Sequence, residues 1–376
     1  MRRLLCSLFT LLTIGCGDPR PTTDDFTHAC YEPQYASGFE ILATPEGRST
    51  LLRVHNPWQG AGDNCSELFI RRNQEPLPKG FTGAVLEKPA QRIVCLSSSY
   101  IAMLDALGAV ERVVGVSGID FISNAYIRTH RAQIGDVGYD SNLNYELLVA
   151  LDPDLVLLYG VSGASELEPK LRELAIPYLY IGEYLEQSPL GKAEWMVLMA
   201  ELLDEREEGI RRFAPLPERY HALCDLVAAA PVRPRVMLNT PYRDTWYMPS
   251  VDNYVVQLIH DAGGDYLYPE NQSNSSVAID LERAYLLCAE ADIWLHQGTI
   301  RSLAELQQRF PRFADVPCIK RGQLYNNTLR TTEAGGNDFW ESGVVRPDRI
   351  LQDLIRILHP ELLPQAEDLY YYKPLQ

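Results

Sequence analysis

Two hydrophobic patterns divide the chain near residue 90. In residues 30–90, apolar and polar positions alternate over short segments such as 38–43 and 51–55. A period of two predicts half-buried strands, so this region is interpreted as a small N-terminal β extension. From Arg92 onward, short continuous apolar runs alternate with helical segments. That pattern is typical of parallel sheets covered by helices on both faces.

The strand–helix alternation occurs twice. The predicted strands lie at 93–96, 113–116, 155–158 and 178–181 in the first half, and at 235–238, 292–295 and 323–325 in the second. Between the halves, Ser188 is a good N-cap, Pro189 suits the first helical position, and a second helix follows Pro217. The sequence therefore predicts an α/β fold of two lobes, each with a parallel sheet and flanking helices. A long rigid helix joins the lobes and limits how far they can hinge.

The first residues have the organisation of an export signal. Arginines at 2–3 precede a mostly apolar run over 4–14, and Gly15 precedes Cys16. The run is shorter than the ~20 apolar residues of a transmembrane helix and is typical of a cleaved signal peptide. Cys16 is the expected lipidation site; an ordinary signal peptide with a chance cysteine is the alternative. The predicted location is the periplasm of the cell envelope, with the chain lipid-anchored through Cys16.

Composition narrows the possible partners. The formal net charge is −16 and the hydrophobic fraction 46%, which indicates a real core and argues against nucleic acid or anionic lipid as partners. The predicted organisation is a signal peptide at 1–15, a lipid-anchored tether at 16–29, the β extension at 30–90, the N-terminal lobe at 91–187, linking helices at 188–230 and the C-terminal lobe at 231–376.

The cysteines indicate neither a metal nor a redox site. Cys30 and Cys65 flank the strands of the extension and are the pair that an oxidising compartment would allow to form a disulfide. Cys95 and Cys288 lie in apolar runs typical of buried thiols. The chain contains no CxxC sequence, so zinc binding and redox chemistry are not expected.

Several short motifs resemble those of one family. They are Arg92-Ile-Val-Cys-Leu-Ser, Leu107-Gly-Ala with Val114-Gly-Val-Ser, Ile134-Gly-Asp, Leu148-Val-Ala-Leu-Asp-Pro-Asp-Leu-Val and Ala262-Gly-Gly-Asp. Over residues 90–360 their order resembles the helix-linked (class III) substrate-binding proteins of ABC importers for cobalamin, haem and iron–siderophores. Residues 188–195 and 334–343 are similar to signatures of a Bacteroidetes-type branch with an added β region.

The resemblance implies a substrate-binding lipoprotein that is not an enzyme. Such a protein captures a bulky iron chelate (siderophore or haem) or cobalamin in an inter-lobe cleft, and delivers it to an ABC permease dimer in the inner membrane. It implies a monomer with no cofactor, which meets the membrane only through its lipid anchor. In the family one glutamate per lobe docks on permease arginines, and the matching positions are Glu146 and Glu282. The alternative is that each acid merely complements the dipole of its helix.

Ligands of open α/β sheets bind beyond the carboxyl ends of the strands, and many residues predicted to lie there are aromatic. Flat amphipathic side chains suit a broad ring system, and arginines suit an anionic chelate. The candidate ligand-binding residues are Ser98, Tyr100, Tyr139, Tyr159, Tyr184, Tyr242, Arg243, Trp246, Tyr247, Arg330, Asn337 and Trp340. For Tyr100, Trp246, Tyr247 and Trp340, core packing is an equal alternative, and Trp195 is expected in the core.

Three ligands stay open at this point. The stretch matching the aromatic loop of cobalamin binders is Val137-Gly-Tyr139 and lacks a tryptophan, which favours an iron–siderophore or haem. Haem would need an axial tyrosine or histidine, for which Tyr100 and His296 are the candidates.

Three other classes of function are alternatives. A receptor for a bare transition metal needs converging histidines and carboxylates, but only His130 and His296 lie near predicted cleft loops. An exported hydrolase needs a G-x-S-x-G elbow, and the nearest matches, 115–119 and 160–164, fail at the last glycine. A scaffold without transport function is the third alternative. No catalytic residue and no metal site is predicted.

Overall fold

The structure is a computed structural model that describes residues 20–139, 142–161, 163–273, 275–364 and 368–376. The predicted signal peptide and Cys16 lie outside the described residues. The strands are β1 His28–Tyr31, β2 Phe39–Ala43, β3 Thr50–His55, β4 Cys65–Ile70, β5 Ala84–Leu86, β6 Ile93–Cys95, β7 Val113–Val116, β8 Gly135–Asp136, β9 Leu155–Leu158, β10 Tyr178–Tyr180, β11 Arg235–Leu238, β12 Trp246–Met248, β13 Asp265–Tyr266, β14 Val277–Ile279, β15 Ile293–Leu295, β16 Leu324–Asn326 and β17 Lys373–Pro374. The α-helices are α1 Ser98–Ala106, α2 Ala125–Thr129, α3 Tyr145–Ala150, α4 Glu168–Glu173, α5 Pro189–Leu202, α6 Arg206–Phe213, α7 Pro215–Val227, α8 Tyr254–Asp261, α9 Leu281–Glu290, α10 Leu303–Arg309, α11 Pro317–Lys320 and α12 Pro347–Leu358.

Each lobe is built on its own parallel sheet. In the N-terminal lobe the strand order is β10-β9-β6-β7-β8 and every pair is parallel. In the C-terminal lobe the order is β13-β11-β15-β16-β17, and β17 alone runs antiparallel to its neighbour. All four residues of β9 are buried, as expected for a strand covered on both faces. The predicted α/β class with two parallel-sheet lobes is confirmed.

The N-terminal extension is a five-stranded sheet whose inner face belongs to the main core. Strands β1 to β4 pair antiparallel, and β5 joins β4 in parallel. Along β3, Leu52 and Val54 pack into the core shared with the lobes, while Leu51 faces a small outer cluster with Phe26 and Phe69. Alternation with a period of two therefore gives this sheet two apolar faces.

The helix between the lobes, α5, is surrounded on all sides. All fourteen of its residues are buried. Ser188 caps its N-terminus by accepting a hydrogen bond from the Gly191 amide at 3.2 Å. Trp195 is fully buried, and its ring centre lies 5.0 Å from that of Phe39 in the extension. The prediction that Trp195 is a core residue is confirmed, and the linker cannot bend without disturbing the extension packed on it.

A buried carboxylate in α5 holds the chain that joins β1 to β2. Glu194 is 0% exposed. Its Oε1 accepts hydrogen bonds from the Tyr31 hydroxyl at 2.6 Å and the Gln34 amide at 2.8 Å. Its Oε2 accepts from the amides of Tyr35 and Ala36, both at 2.7 Å. Four donors around one carboxylate tie the extension to the linking helix.

The disulfide between Cys30 and Cys65 that the sequence allows is not formed, because both thiols are free. Cys30 lies in β1 and Cys65 opens β4, so two strands separate them in the sheet. Neighbouring strands are about 4.8 Å apart, which places the pair roughly 14 Å apart, beyond the ~7 Å that a disulfide spans. The Cys65 thiol instead lies 3.4 Å from Nδ1 of His55.

Among the described residues, no helix is both long and apolar enough to cross a bilayer.

Candidate functional site

A cleft of about 990 Å³ lies between the two lobes. Two of its residues come from the N-terminal lobe: Ser98 opens α1 after β6, and Phe121 follows β7. The C-terminal lobe supplies the others, among them Asn239, Asn253, Tyr254, His296, Thr328, Thr332, Asn337 and Trp340. Ser98, Phe121, Asn239 and His296 follow carboxyl ends of parallel strands, which is the expected position for a ligand site in this class of fold.

Each lobe contributes one exposed aromatic ring to the cleft. Phe121 is 47% exposed and Trp340 is 46% exposed. Tyr254 supports Trp340 from within the C-terminal lobe, with ring centres 6.2 Å apart. Two large apolar faces on opposite lobes can contact a broad ligand from both sides. Phe121 was not among the candidate residues, although its position directly after β7 meets the rule that selected the others.

The lobes touch along one side of the cleft. Thr332 Oγ1 donates a hydrogen bond to the Asp120 carbonyl at 2.9 Å. Gly336 packs directly on the opposite lobe, since a Cβ added there would lie 1.7 Å from the Phe121 carbonyl oxygen. A residue without a side chain is therefore required at this position.

A buried carboxylate also bridges the lobes. Glu341 of the C-terminal lobe is 2% exposed. Its Oε2 accepts a hydrogen bond from the Ser123 amide of the N-terminal lobe at 2.8 Å. The pKa of Glu341 is raised to about 7, chiefly by burial and to a lesser extent by the nearby Asp338 carboxylate, while the hydrogen bond from the Ser123 amide opposes the shift. The charge of this bridge therefore changes close to neutral pH.

The charged residues lining the cleft are two cations and one anion. They are Arg301, Lys373 and Glu333. Within the described part of the chain, none of these three side chains forms an ion pair. Unpaired cations in excess of acids suit a ligand that carries negative charge.

Three of the twelve candidate residues line the cleft: Ser98, Asn337 and Trp340. Two others, Tyr100 and Trp246, are fully buried, so for them the structure shows core packing, which the sequence left as an equal alternative to ligand contact. The Tyr100 hydroxyl lies 3.1 Å from the carbonyl oxygens of both Leu158 and Ile181, where β9 and β10 end. Trp246 donates from Nε1 to the Leu238 carbonyl at 2.9 Å.

Two candidate tyrosines form a pair outside the cleft. The rings of Tyr159 and Tyr184 lie 5.1 Å apart, and the Tyr184 hydroxyl donates to the Gly160 carbonyl at 2.6 Å. Tyr139 is exposed and packs its hydroxyl end over Gly118. These tyrosines do not line the cleft of the described structure.

The remaining four candidates lie on the C-terminal lobe outside the cleft. Tyr242 and Tyr247 are exposed, and the Arg243 guanidinium stacks 5.3 Å from the Tyr242 ring centre. Arg330 is held by Asp338, with Nε to Oδ2 at 2.6 Å, and lies 4.5 Å from the ring centre of Tyr370. The expectation that Arg243 and Arg330 meet an anionic chelate is therefore not supported, and the cations that line the cleft are others.

His296 lines the cleft but is already engaged. Its Nε2 lies 2.7 Å from the Tyr372 hydroxyl, and burial lowers its pKa to about 3. The imidazole is therefore neutral. Neither His296 Nε2 nor the buried Tyr100 is open to serve as an axial haem ligand.

Glu146 and Glu282 occupy matching positions in the two lobes. Each is the second residue of its helix, α3 or α9, and each is exposed. Asn144 caps α3 by accepting from the Leu147 amide at 3.0 Å, and Asp280 caps α9 in the same way. The two glutamates thus occupy equivalent places in the two lobes.

Two α/β lobes that close on a deep cleft define a bilobal solute-binding protein. The model of the periplasmic binding protein family matches residues 93–328, and the chain belongs to that family. Proteins of this family bind small ligands and work with ABC permeases, and they are not enzymes. Their location is the cell envelope.

Sequence relatives come from an archaeon. An uncharacterized lipoprotein of Methanocaldococcus jannaschii is 24% identical over 365 residues, which cover 90% of this chain and 84% of the relative. A second uncharacterized lipoprotein of the same organism is 24% identical over 306 residues, covering 77% of this chain and 75% of that one.

Solved structures of low sequence identity share the fold. A periplasmic haem-binding protein of Pseudomonas aeruginosa has a TM-score of 0.58 at 18% identity, covering 76% of this chain and 98% of that chain. The vitamin B12-binding protein of Vibrio cholerae has a TM-score of 0.54 at 13% identity, covering 74% of this chain and 99% of that chain. At this identity the likeness concerns the fold alone.

Proposed function

We propose that this chain is the substrate-binding lipoprotein of an ABC importer and captures a bulky metal chelate between its lobes. The observation that carries the proposal is the inter-lobe cleft of about 990 Å³ with one exposed aromatic from each lobe. Ligand pockets in proteins measure roughly 300–1,000 Å³, so this cleft suits a solute at the upper end of the range.

The chemistry of the cleft favours an anionic ferric siderophore. Phe121 and Trp340 offer flat apolar faces, and Arg301 and Lys373 offer positive charge without ion-pair partners among the described residues. Haem is less well supported because His296 Nε2 is engaged. A bare metal ion is also less well supported, because no three His, Cys, Asp or Glu side chains of the described chain are grouped as metal ligands would be.

The bound solute is then delivered to the membrane permease. Glu146 and Glu282 each dock on an arginine of a dimeric permease in the inner membrane, and Cys16 carries the lipid that retains a monomeric chain there. Paired acids at equivalent places on two lobes match a partner with two-fold symmetry. In this proposal the chain belongs to the helix-linked class, with α5 as the linker. The Bacteroidetes-type branch stays a prediction.

Ligand capture is tested by fluorescence titration of the signal-free protein with ferric siderophores, haemin and cyanocobalamin, with Trp340 as the exposed reporter. Saturable quenching at micromolar concentration or below supports capture. Unchanged fluorescence with every chelate would refute the proposed function.

Docking is tested by reversing both acids, Glu146→Arg with Glu282→Arg. Because both lie on exposed helix ends away from the cleft, uptake should be lost while ligand affinity stays within twofold. The matched control reverses Glu166, which is also exposed, and should leave uptake intact. Normal uptake by the double variant would refute docking through these residues.

A further inference from the structure

Two oppositely charged side chains lie where both lobes meet the linking helix. Glu183 follows β10 and Lys192 lies near the start of α5; they are 2% and 6% exposed. Each lies against the cleft wall. Glu183 Oε1 accepts from the Ser99 hydroxyl at 2.6 Å, next to Ser98, and the Lys192 ammonium lies 4.6 Å from the ring centre of Tyr254. Ser98 and Tyr254 both line the cleft.

Glu183 and Lys192 differ from the other buried acids in and next to α5, whose carboxylate oxygens all accept hydrogen bonds. Glu186 accepts from the amides of Ser37 and Gly38 and from Trp195 Nε1, and Glu201 accepts from Thr50, Arg72 and Arg206. By contrast, Glu183 Oε2 is buried without any hydrogen-bond partner.

The Lys192 ammonium also lacks hydrogen-bond partners among the described residues. Within the described residues its ammonium makes no hydrogen bond, and no carboxylate oxygen lies within 4.0 Å of it. Burial lowers the pKa of Lys192 and raises the pKa of Glu183, and in each case the charge of the other residue opposes the shift. Glu183 therefore lacks a partner for Oε2, and the Lys192 ammonium has only the Tyr254 ring beside it.

Burying charged groups without hydrogen bonds is among the least favourable arrangements in a fold. A fold that retains two such atoms beside a ligand cleft has the character of a functional site, where stability is given up for binding. The two atoms are complementary, since one is a donor and the other an acceptor. A group that accepts and donates at once would satisfy both.

We propose that Glu183 and Lys192 form a polar subsite directly behind the part of the cleft wall made by Ser98 and Tyr254, and that this subsite takes a carboxamide group of the bound solute. Lys192 Nζ donates to the amide carbonyl oxygen, and Glu183 Oε2 accepts from the amide N–H. Tyr254 belongs to the C-terminal lobe, whereas Glu183 belongs to the N-terminal lobe. Opening of the cleft therefore withdraws the Tyr254 ring from Lys192 and admits the amide. This assignment rests on the proposed function, because it assumes that the cleft holds a solute.

The test is the double variant Glu183→Gln with Lys192→Met, which removes both charges and nearly preserves volume. Dissociation constants are measured for cyanocobalamin and ferrioxamine B, which carry amides, and for haemin, which carries none, together with the thermal midpoint of the free protein. For an amide-bearing probe that binds the wild type, the dissociation constant should rise at least tenfold. The thermal midpoint should not fall, because the variant removes unpartnered buried charges. The matched control, Glu194→Gln, alters a fully partnered carboxylate and should lower the midpoint with affinity unchanged.

Three outcomes would overturn the assignment. An unchanged dissociation constant for the amide-bearing probe, or a fall in midpoint like that of Glu194→Gln, would give Glu183 and Lys192 a structural role only. Binding of haemin alone would exclude the amide class. If the wild type binds none of the three probes, the failure lies in the proposed function, and the subsite falls with it.

Discussion

The contact between the N-terminal extension and α5 gives a quantitative prediction. Glu194→Gln preserves the shape of the side chain but removes its charge and replaces one acceptor oxygen with a donor. Oε1 and Oε2 each accept two hydrogen bonds, so the glutamine leaves two donors facing an NH₂ group. Hydrogen bonds to charged groups contribute about 1.5–3 kcal/mol each, and a buried unsatisfied donor costs about 1–3 kcal/mol. Because neighbouring losses are not additive, we expect a total destabilisation of about 3–5 kcal/mol.

The assay is urea unfolding followed by tryptophan fluorescence, since Trp195 lies in the same contact. Globular proteins are stable by roughly 5–15 kcal/mol, so the expected loss is a large part of the total and should lower the midpoint clearly. Glu166→Gln, at an exposed position, is the control and should change stability by no more than ~0.5 kcal/mol. A loss below about 1 kcal/mol for Glu194→Gln would refute the view that this carboxylate holds the extension on the linker.

Three further predictions concern the contact between the lobes and the thiols. Because the pKa of Glu341 is raised to about 7 in the folded state, folding is favoured while this group is protonated, and stability should fall as pH rises from about 4.5 to 7. Glu341→Gln should flatten that part of the plot of urea midpoint against pH. An unchanged slope would contradict the buried bridge that Glu341 forms between the lobes. Gly336→Ala places a methyl group against the Phe121 carbonyl and should hold the lobes apart. The radius of gyration in small-angle scattering should therefore rise, and ligand binding should weaken at least tenfold. An unchanged radius would refute the requirement for close contact between the lobes at this position. The exposed Cys65 thiol should be open to a thiol reagent in native, non-reduced protein, so Cys65→Ser should lose one reactive thiol, whereas no loss on this substitution would indicate a disulfide.

Local pattern predicted the elements of the fold well. The start of the linking helix was expected because Ser188 is a good N-cap and Pro189 suits the first helical position, and the structure shows the Ser188 hydroxyl accepting from the Gly191 amide at 3.2 Å. The buried strands were expected because a continuous apolar run of four residues in an α/β chain is typical of a strand covered on both faces. A helix cap and an apolar run each depend only on residues that are neighbours in the chain, so both can be recognised in a single sequence.

The site was harder to predict because residues that follow strands can be buried or can face the cleft. Tyr100 and Phe121 both follow strands, yet Tyr100 is buried with its hydroxyl on the Leu158 carbonyl, while Phe121 lines the cleft. Nothing in the flanking residues separates the two cases. The contact between Glu194 and the chain near Tyr35 joins positions 159 residues apart, and such a pairing has no local signature.

The proposed function places a bulky solute between the rings of Phe121 and Trp340. The most direct measurement is the dissociation constant of ferric siderophores for the wild type and for Phe121→Ala with Trp340→Ala. The matched control is Tyr242→Ala with Tyr247→Ala, two aromatics that are also exposed but lie outside the cleft. We expect saturable binding to the wild type, a loss of affinity of at least tenfold in the cleft variant and of less than twofold in the control. Equal affinities for all three proteins, or a loss in the control alone, would show that the solute does not bind between these two rings.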